Sequence, residues 1–307
     1  MLNLRHLEVF HAIMCTGSVT AAARLLNVSQ PSVSTVLQHA ESRLRITLFT
    51  RSGGRLRPTP EAQALWPAVE AIFGRVSALE RQIQDLGGGR LGTLSLAAAV
   101  PIANGYLAKA VAEFTQSRPG LQVTLQSLTS AQVVESVLNG EAEIGVVHSP
   151  VSSAGMDIEV LAHSPLACVM PRRHPLARHK EIGMALLADY PVITYLPQSA
   201  FRNYVNRAFD EVGVTPSVNI QVGLSLTGLV LAYHGAGVAI VEPSLLVSLP
   251  MRSGLVARPL APRIALKTLI VRASAAPRSV IAEAFLVELR ATLRATQRVL
   301  EKTYGTP

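Results

Sequence analysis

The chain has 307 residues, 49% of them hydrophobic, with 28 Lys and Arg against 20 Asp and Glu and a formal net charge of +8. That balance favours a polyanionic partner, while the length and apolar content demand two or three folding units and a larger core than a basic module alone provides. The two cysteines, Cys15 and Cys168, lie far apart and no Cys/His cluster has ligand spacing, which excludes a disulfide scaffold and a zinc site and makes the cytoplasm the expected compartment.

No signal peptide is expected at Met1, because Arg5, His6 and Glu8 interrupt any apolar core. Residues 18–58 then spell a helix, a tight turn, a second helix and an arginine-bearing hairpin. Ser18 can cap a run of helix formers through Leu26, Asn27-Val28 breaks it, and Ser29 can cap the next helix, which predicts a helix-turn-helix. In the second helix Val33, Val36, Leu37, Ala40 and Leu44 share one face. Pro31, Ser34, Thr35 and Gln38 fall opposite, with Gln30 at the leading end, so the outer face is small, uncharged and suited to a DNA groove. Between Glu41 and Glu61 stand five arginines, Arg43, Arg45, Arg51, Arg55 and Arg57, and no acid. The segment 49–58 centres on Gly53-Gly54, which predicts a hairpin whose strands carry guanidinium groups to phosphates or a minor groove. The plainer alternative is a helical subdomain with a solvated basic face.

From Thr59, a capping residue ahead of Pro60, a helix is predicted through residue 86. Leu65, Val69, Ile72, Val76, Leu79, Ile83 and Leu86 recur at intervals of four and three, a heptad seam that serves either a dimer or packing within the chain, with Pro67 cutting against a straight helix. Gly87-Gly-Gly89 reads as a hinge. Residues 91–108 lack charge, but Thr93, Ser95, Pro101, Asn104 and Gly105 argue for a buried strand entering a helix and against a membrane span. Strands are expected near 93–99, 121–127, 143–147, 166–170, 191–195, 218–222, 238–241 and 264–271, with helices between many of them, an α/β pattern of mostly parallel sheets.

Several of the loops after these strands deliver polar groups where a helix starts. They hold Val100-Pro101, Thr129-Ser130, His148-Ser149, Gln198-Ser199, and Ser225 with Thr227. Helix N-termini hold carboxylates, although each hydroxyl taken singly reads equally well as a plain cap. Arg202, one turn after Ser199, either pairs with an acidic ligand or is solvated, and His148 reads first as a structural histidine.

Several segments together resemble the LysR-type transcriptional regulators: Asn3-Leu-Arg-His-Leu-Glu-Val-Phe10, Gly17-Ser-Val-Thr-Ala-Ala-Ala-Arg-Leu-Leu26, Ser29-Gln-Pro-Ser-Val-Ser34, Leu48-Phe-Thr-Arg51 and Pro58-Thr59. The likeness continues through Gly140-Glu-Ala-Glu-Ile-Gly145, His174-Pro-Leu176 and Gly235-Ala-Gly-Val-Ala-Ile240, and so covers the whole chain. It implies a winged helix-turn-helix at 1–58, a dimerising linker helix and hinge at 59–90, and a two-lobed α/β effector domain at 91–307 that resembles a periplasmic binding protein. One lobe would comprise 91–161 and 268–304, the other 162–267. Double-stranded DNA, a small carboxylate effector in the cleft and a homodimer that pairs into tetramers are the implied partners, without a cofactor or a membrane. Implied DNA contacts are Ser18, Thr20, Gln30, Pro31, Ser32, Ser34, Thr35, Gln38, Arg51 and Arg55, with Thr35 departing from the family's usual arginine. Implied effector contacts are Val100, Pro101, Thr129, Ser130, His148, Ser149, Gln198, Ser199, Arg202, Ser225 and Thr227. Ala103-Asn-Gly105, Arg118-Pro119 and Ser225 look closest to the branch concerned with amino acids and opines.

Two rival classes fare worse. An enzyme is disfavoured because Gly235-Ala-Gly237 is a fragment of a dinucleotide fingerprint in the wrong order, between a helix and a strand, and no P-loop or Gly-x-Ser-x-Gly elbow appears. A solute-binding protein would lack the winged helix and carry a signal sequence.

Overall fold

The computed structural model describes residues 3–52, 55–86, 92–248 and 254–304, and its contacts divide the chain into one unit up to Glu80 and another from Arg81. The first unit begins with α1 (Leu4–Thr16), capped by Asn3 in a reciprocal box with His6 and closed by Gly17 at a positive φ of 70°. Ser18 caps α2 (Val19–Leu25), and Ser29 caps α3 (Gln30–Leu44) with Pro31 in its first turn. The strands β1 (Phe49–Ser52) and β2 (Arg55–Pro58) pair antiparallel, and α4 (Pro60–Leu86) follows. Gly53-Gly54 and Gly87-Gly-Gly89 lie outside the described residues.

The core of this unit gathers Val9 and Phe10 from α1, Ala22 from α2, Val33 and Leu37 from α3, and Phe49 from the hairpin. Burial of a Val, Leu or Phe side chain contributes about 1.5–3 kcal/mol, so these positions dominate its stability. Ala62 and Val69 of α4 join the same core, and His11 of α1 stacks on Trp66 and Phe73 at 5.3 and 4.4 Å. One heptad position is thereby corrected, since Val69 packs on its own head. Leu65, Ile72, Val76, Leu79 and Ile83 remain exposed, and the Leu86 side chain lies outside the described residues.

The second unit holds two sheets. Lobe I is built on the five-stranded order β4-β3-β5-β13-β6, comprising β3 (Thr93–Ala99), β4 (Gln122–Leu128), β5 (Ile144–His148), β6 (Met156–Pro165) and β13 (Ala265–Ala273). Its helices are α5 (Val100–Ala103), α6 (Tyr106–Gln116), α7 (Ser130–Leu138) and α12 (Val280–Tyr304). Leu94, Leu96, Ile144 and Val146 face α6 and α12, whose Phe114 and Phe285 meet edge to face at 5.2 Å. The helix α7 lies so close to β5 that a Cβ at Gly145 would stand 2.8 Å from Val133 and 2.9 Å from Val137.

Lobe II is built on the order β10-β9-β11-β7-β12-β8. The strands are β7 (Ala167–Pro171), β8 (Ile182–Gly183), β9 (Val192–Tyr195), β10 (Val218–Val222), β11 (Val238–Val241) and β12 (Leu255–Ala261). They are covered by α8 (Met184–Leu187), α9 (Ala200–Glu211), α10 (Ser225–Tyr233) and α11 (Leu245–Ser248). Cys168, Val192 and Ile240 point to Val205 and Phe209 of α9, while Val169, Ile193 and Val241 point to Leu229 and Ala232 of α10. Strands buried on both faces read as continuous apolar runs, which is why these were legible.

The expectation of mostly parallel sheets is corrected: both sheets are mixed. In lobe I β13 runs antiparallel to β5 and β6, and in lobe II β7 runs antiparallel to β11 and β12. The strands β6, β8 and β12 were also missed. Asp157 and Glu159 interrupt the apolar pattern of the edge strand β6, Pro259 disguises β12, and β8 has only 2 residues. The two crossovers between lobes are β6 and β13 themselves, paired from Met156 with Ala273 to Pro165 with Ala265.

Candidate DNA-binding and effector sites

In α3 the buried face of Val33, Leu37 and Ala40 fixes what points outward: Gln30, Pro31, Ser32, Thr35 and Gln38 are exposed and Ser34 is half-buried. The Gln30 amide Nε2 donates to Ser34 Oγ at 2.8 Å, which orients the leading end of this face. Ser18 is engaged as the cap of α2, where it accepts from the Ala21 amide at 3.0 Å, and Thr20 is exposed beside it. The hairpin is held against α3 by Glu41, whose Oε1 accepts from the Leu48 and Phe49 amides at 2.7 and 3.2 Å. Arg51 and Arg57 are exposed on it, and the side chain of Arg55 lies outside the described residues. A polar helix face beside exposed guanidinium groups has the chemistry that base edges and phosphates require.

In the second unit, parallel pairs of strands bring helix starts side by side. The strands β3 and β4 end at Ala99 and Leu128, where α5 and α7 begin; β9 and β10 end at Tyr195 and Val222, shortly before α9 and α10. Amide groups at such starts carry partial positive charge at the carboxyl edge of each sheet. Thr129 caps α7 in a reciprocal box with Gln132, and Ser199 caps α9 by accepting from the Phe201 amide. Leu224 stands at the cap position of α10 and offers no side-chain bond there.

Other candidates are engaged inside the protein. His148 ends β5 with 2% exposure; its Nε2 lies 2.9 Å from Oε2 of Glu242, just past β11, and its Nδ1 lies 3.3 Å from Thr268 Oγ1. The Ser244 hydroxyl donates to the other oxygen of Glu242 at 2.7 Å. Burial alone would raise the Glu242 carboxyl, but the charge and hydrogen bond of His148, with the Ser244 hydroxyl, hold it below its ordinary value. The end of a lobe I strand and the segment just after a lobe II strand are thus joined by a buried acid–imidazole pair. Phe201 lies edge-on to both His148 and Tyr195, at 5.4 and 5.1 Å, and the Tyr195 hydroxyl lies 3.0 Å from that of the buried Ser225. Burial pushes the Tyr195 phenol up, so it remains a neutral hydrogen-bonding group. Arg202 donates to the Tyr195 carbonyl at 3.2 Å and to Asn206 Oδ1 at 2.7 Å. Ser149 extends the β5–β13 ladder through both its amide and its hydroxyl, each bonded to the Lys267 backbone.

The structure therefore brings His148, Arg202 and Ser225 together through Tyr195 and Phe201. Among the described residues, Thr129 and Ser130 join no member of that chain of contacts. Gln198 and Thr227 are exposed, Val100 is half-buried and Pro101 is buried. Sequence reasoning missed Tyr195, Phe201, Ser244 and, above all, Glu242. A signal for Glu242 was present: an acid directly after the apolar run 238–241, followed by Pro243-Ser244. Among the described residues no group of three or more His, Cys, Asp or Glu could hold a metal ion, and no helix is long and apolar enough to cross a membrane.

A winged helix-turn-helix and a two-lobed α/β unit with helix starts gathered at its sheet edges define a class of DNA-binding regulators that carry their own small-molecule sensor. Within that class the chain belongs to the LysR family: residues 4–63 match the bacterial regulatory helix-turn-helix protein, lysR family, and residues 87–294 match the LysR substrate binding domain. It is a LysR-type transcriptional regulator. The octopine catabolism/uptake operon regulatory protein OccR of Rhizobium meliloti is 33% identical over 287 residues, covering 94% of this chain and 95% of that protein. The regulatory protein NocR of Agrobacterium fabrum (strain C58) is 30% identical over 243 residues, 79% of this chain and 81% of its own. The crystal structure of CbnR, a LysR family transcriptional regulator, shares the fold with a TM-score of 0.71 at 22% identity, over 95% of this chain and 99% of that one.

Proposed function

We propose that this regulator reads a small carboxylate of the amino-acid or opine class in the cleft between lobes I and II. Carrying the reading is one observation: α7, α9 and α10 begin at the carboxyl ends of parallel strands in both lobes, with Thr129, Ser130, Ser199 and Thr227 at or near those starts. Backbone amides there accept an anion, and the adjacent hydroxyls add specificity. The name of the OccR relative, an octopine regulator, supports the ligand class. Gln30, Ser34 and Gln38 read base edges, while Arg51 and Arg55 hold the DNA backbone. The working assembly is a cytoplasmic homodimer built on α4, paired into a tetramer, and it senses without catalysing a reaction.

A thermal-shift screen of the full chain against octopine, free amino acids and small carboxylic acids tests the sensing role. A ligand at one hundred times its dissociation constant stabilises by about 2.7 kcal/mol. A hit whose affinity falls roughly ten-fold in Thr129→Ala or Thr227→Ala fits the loss of one bond to a charged group. A hit that both variants bind normally would leave the hydroxyls as helix caps alone and move the site elsewhere.

A further inference from the structure

A cavity of about 170 Å³ opens where lobes I and II meet the C-terminal part of α12. Among the described residues, its wall shares nothing with the helix starts that form the candidate cleft site. Apolar side chains supply most of it, with Leu166, Ala257 and Leu260 from lobe II facing Leu293 and Leu300 of α12. The polar members are graded by burial. Glu242, Tyr106, Thr296 and Ser244 are 1%, 1%, 4% and 5% exposed, whereas Arg258 and Gln297 are half-buried and His163 and Arg263 exposed. The cavity therefore runs from a carboxylate inside to guanidinium groups toward solvent.

Glu242 and Arg258 have hydrogen-bonding capacity left for a ligand. A carboxylate has about four acceptor positions, and Glu242 uses one oxygen on His148 and the other on Ser244, leaving lone pairs on both. The Tyr106 phenol is pushed up, first by burial and then by the charge of Glu242, so it stays neutral beside that acid. Arg258 is fixed by backbone carbonyls of Ala177 and Ala257, at 2.8–3.2 Å, and among the described residues it is in no ion pair. Five donors in a guanidinium leave two beyond the three so used.

We propose that this cavity is a second small-molecule site, one that takes an elongated zwitterion with its ammonium on Glu242 and Ser244, its apolar chain along Leu293 and Leu260, and its carboxylate on Arg258. A single-charge molecule satisfies only one end. Because Glu242 also holds His148 of lobe I, an ammonium on that carboxylate competes for the pair that joins the lobes, and occupancy of the cavity couples reciprocally to the state of the cleft. The proposal stands independently of which effector the cleft takes.

A matched trio of probes tests it by calorimetry on the full chain: 6-aminohexanoate, hexanoate and hexylamine. The expected result is binding of 6-aminohexanoate, with each single-charge analogue weaker by roughly ten-fold or more. Gln297→Trp, a half-buried wall position on α12, fills the mouth and should abolish binding, whereas Thr129→Ala in the cleft should leave it unchanged. Glu242→Gln should bring 6-aminohexanoate down to the level of hexanoate. Where Glu242→Gln loses its folded circular dichroism, Arg258→Gln serves instead and should bring 6-aminohexanoate down to the level of hexylamine. The proposal is overturned by no binding of 6-aminohexanoate at about 10 mM, by binding that Gln297→Trp does not change, or by binding that Thr129→Ala removes.

Discussion

Glu242 and His148 tie the acid stability of the sensor unit to two side chains. A carboxyl held below its ordinary value in the folded chain binds its proton less readily there than in the unfolded chain. Its stabilising contribution is complete above the ordinary glutamate value and is lost as pH falls through the depressed one. The melting temperature of the wild type should therefore fall on acidification from about pH 4.3 downward. Glu242→Gln should lose about 3–5 kcal/mol at neutral pH by leaving His148 buried without its acid, and should flatten the acid limb. Equal acid limbs in melting curves of the two proteins would exclude the pair as their source. In the head, Arg51→Ala should weaken binding to every duplex and lower the salt slope by about one, whereas Gln30→Ala should erode discrimination between operator and scrambled DNA. Mobility shifts at two salt concentrations separate these outcomes, and equal affinities throughout would dissolve the assignment.

At the scale of elements, α4 carries two faces with different duties. Its Ala62, Val69 and Trp66 side complete the core of the head, and its Leu65, Ile72, Val76 and Leu79 side is exposed in the single chain. If the exposed side is the intersubunit seam, a charge at Leu79 is buried against its twofold copy at a cost of several kcal/mol, roughly the penalty for an unpaired buried charge. Leu79→Glu should shift the protein toward monomer in sedimentation, and an unchanged oligomer would assign the dimer to another surface. The periodicity showed the seam but not that Val69 belongs to the other side, because one sequence interval fits both packing modes. Helix starts were the most legible elements: Ser18, Ser29, Thr129 and Ser199 cap where their residue types suggested. Capping is a local interaction of neighbouring residues, whereas the direction of β7 or β13 depends on partners far along the chain. Arg202 was ambiguous for the same reason, since its acceptor is the Tyr195 carbonyl on another element.

For the whole molecule, the alternation of strands and helices made an α/β unit legible, the two lobes came from the resemblance to the LysR family, and the means of joining them was legible in neither. The buried pair of His148 and Glu242 spans 94 residues of sequence, and of the two crossover strands only 264–271 was expected, with the lobe boundary drawn through it. An effector that closes the cleft acts through its different affinity for two lobe arrangements. A saturating ligand should therefore change small-angle scattering of the wild type, and a profile unchanged by a ligand that alters DNA affinity would point to a mechanism without lobe movement. The pairing of Pro165 with Ala265 also bears on ancestry and engineering. Everything between those partners leaves lobe I and returns to it at one place, so lobe II has the topology of an insert with adjacent ends. Replacing residues 166–264 by a short turn would convert the ribbon into an ordinary hairpin, and the remaining sheet would keep its order β4-β3-β5-β13-β6. The sensor can accordingly exchange one whole lobe for another of different binding chemistry while retaining its connection to the DNA-reading head.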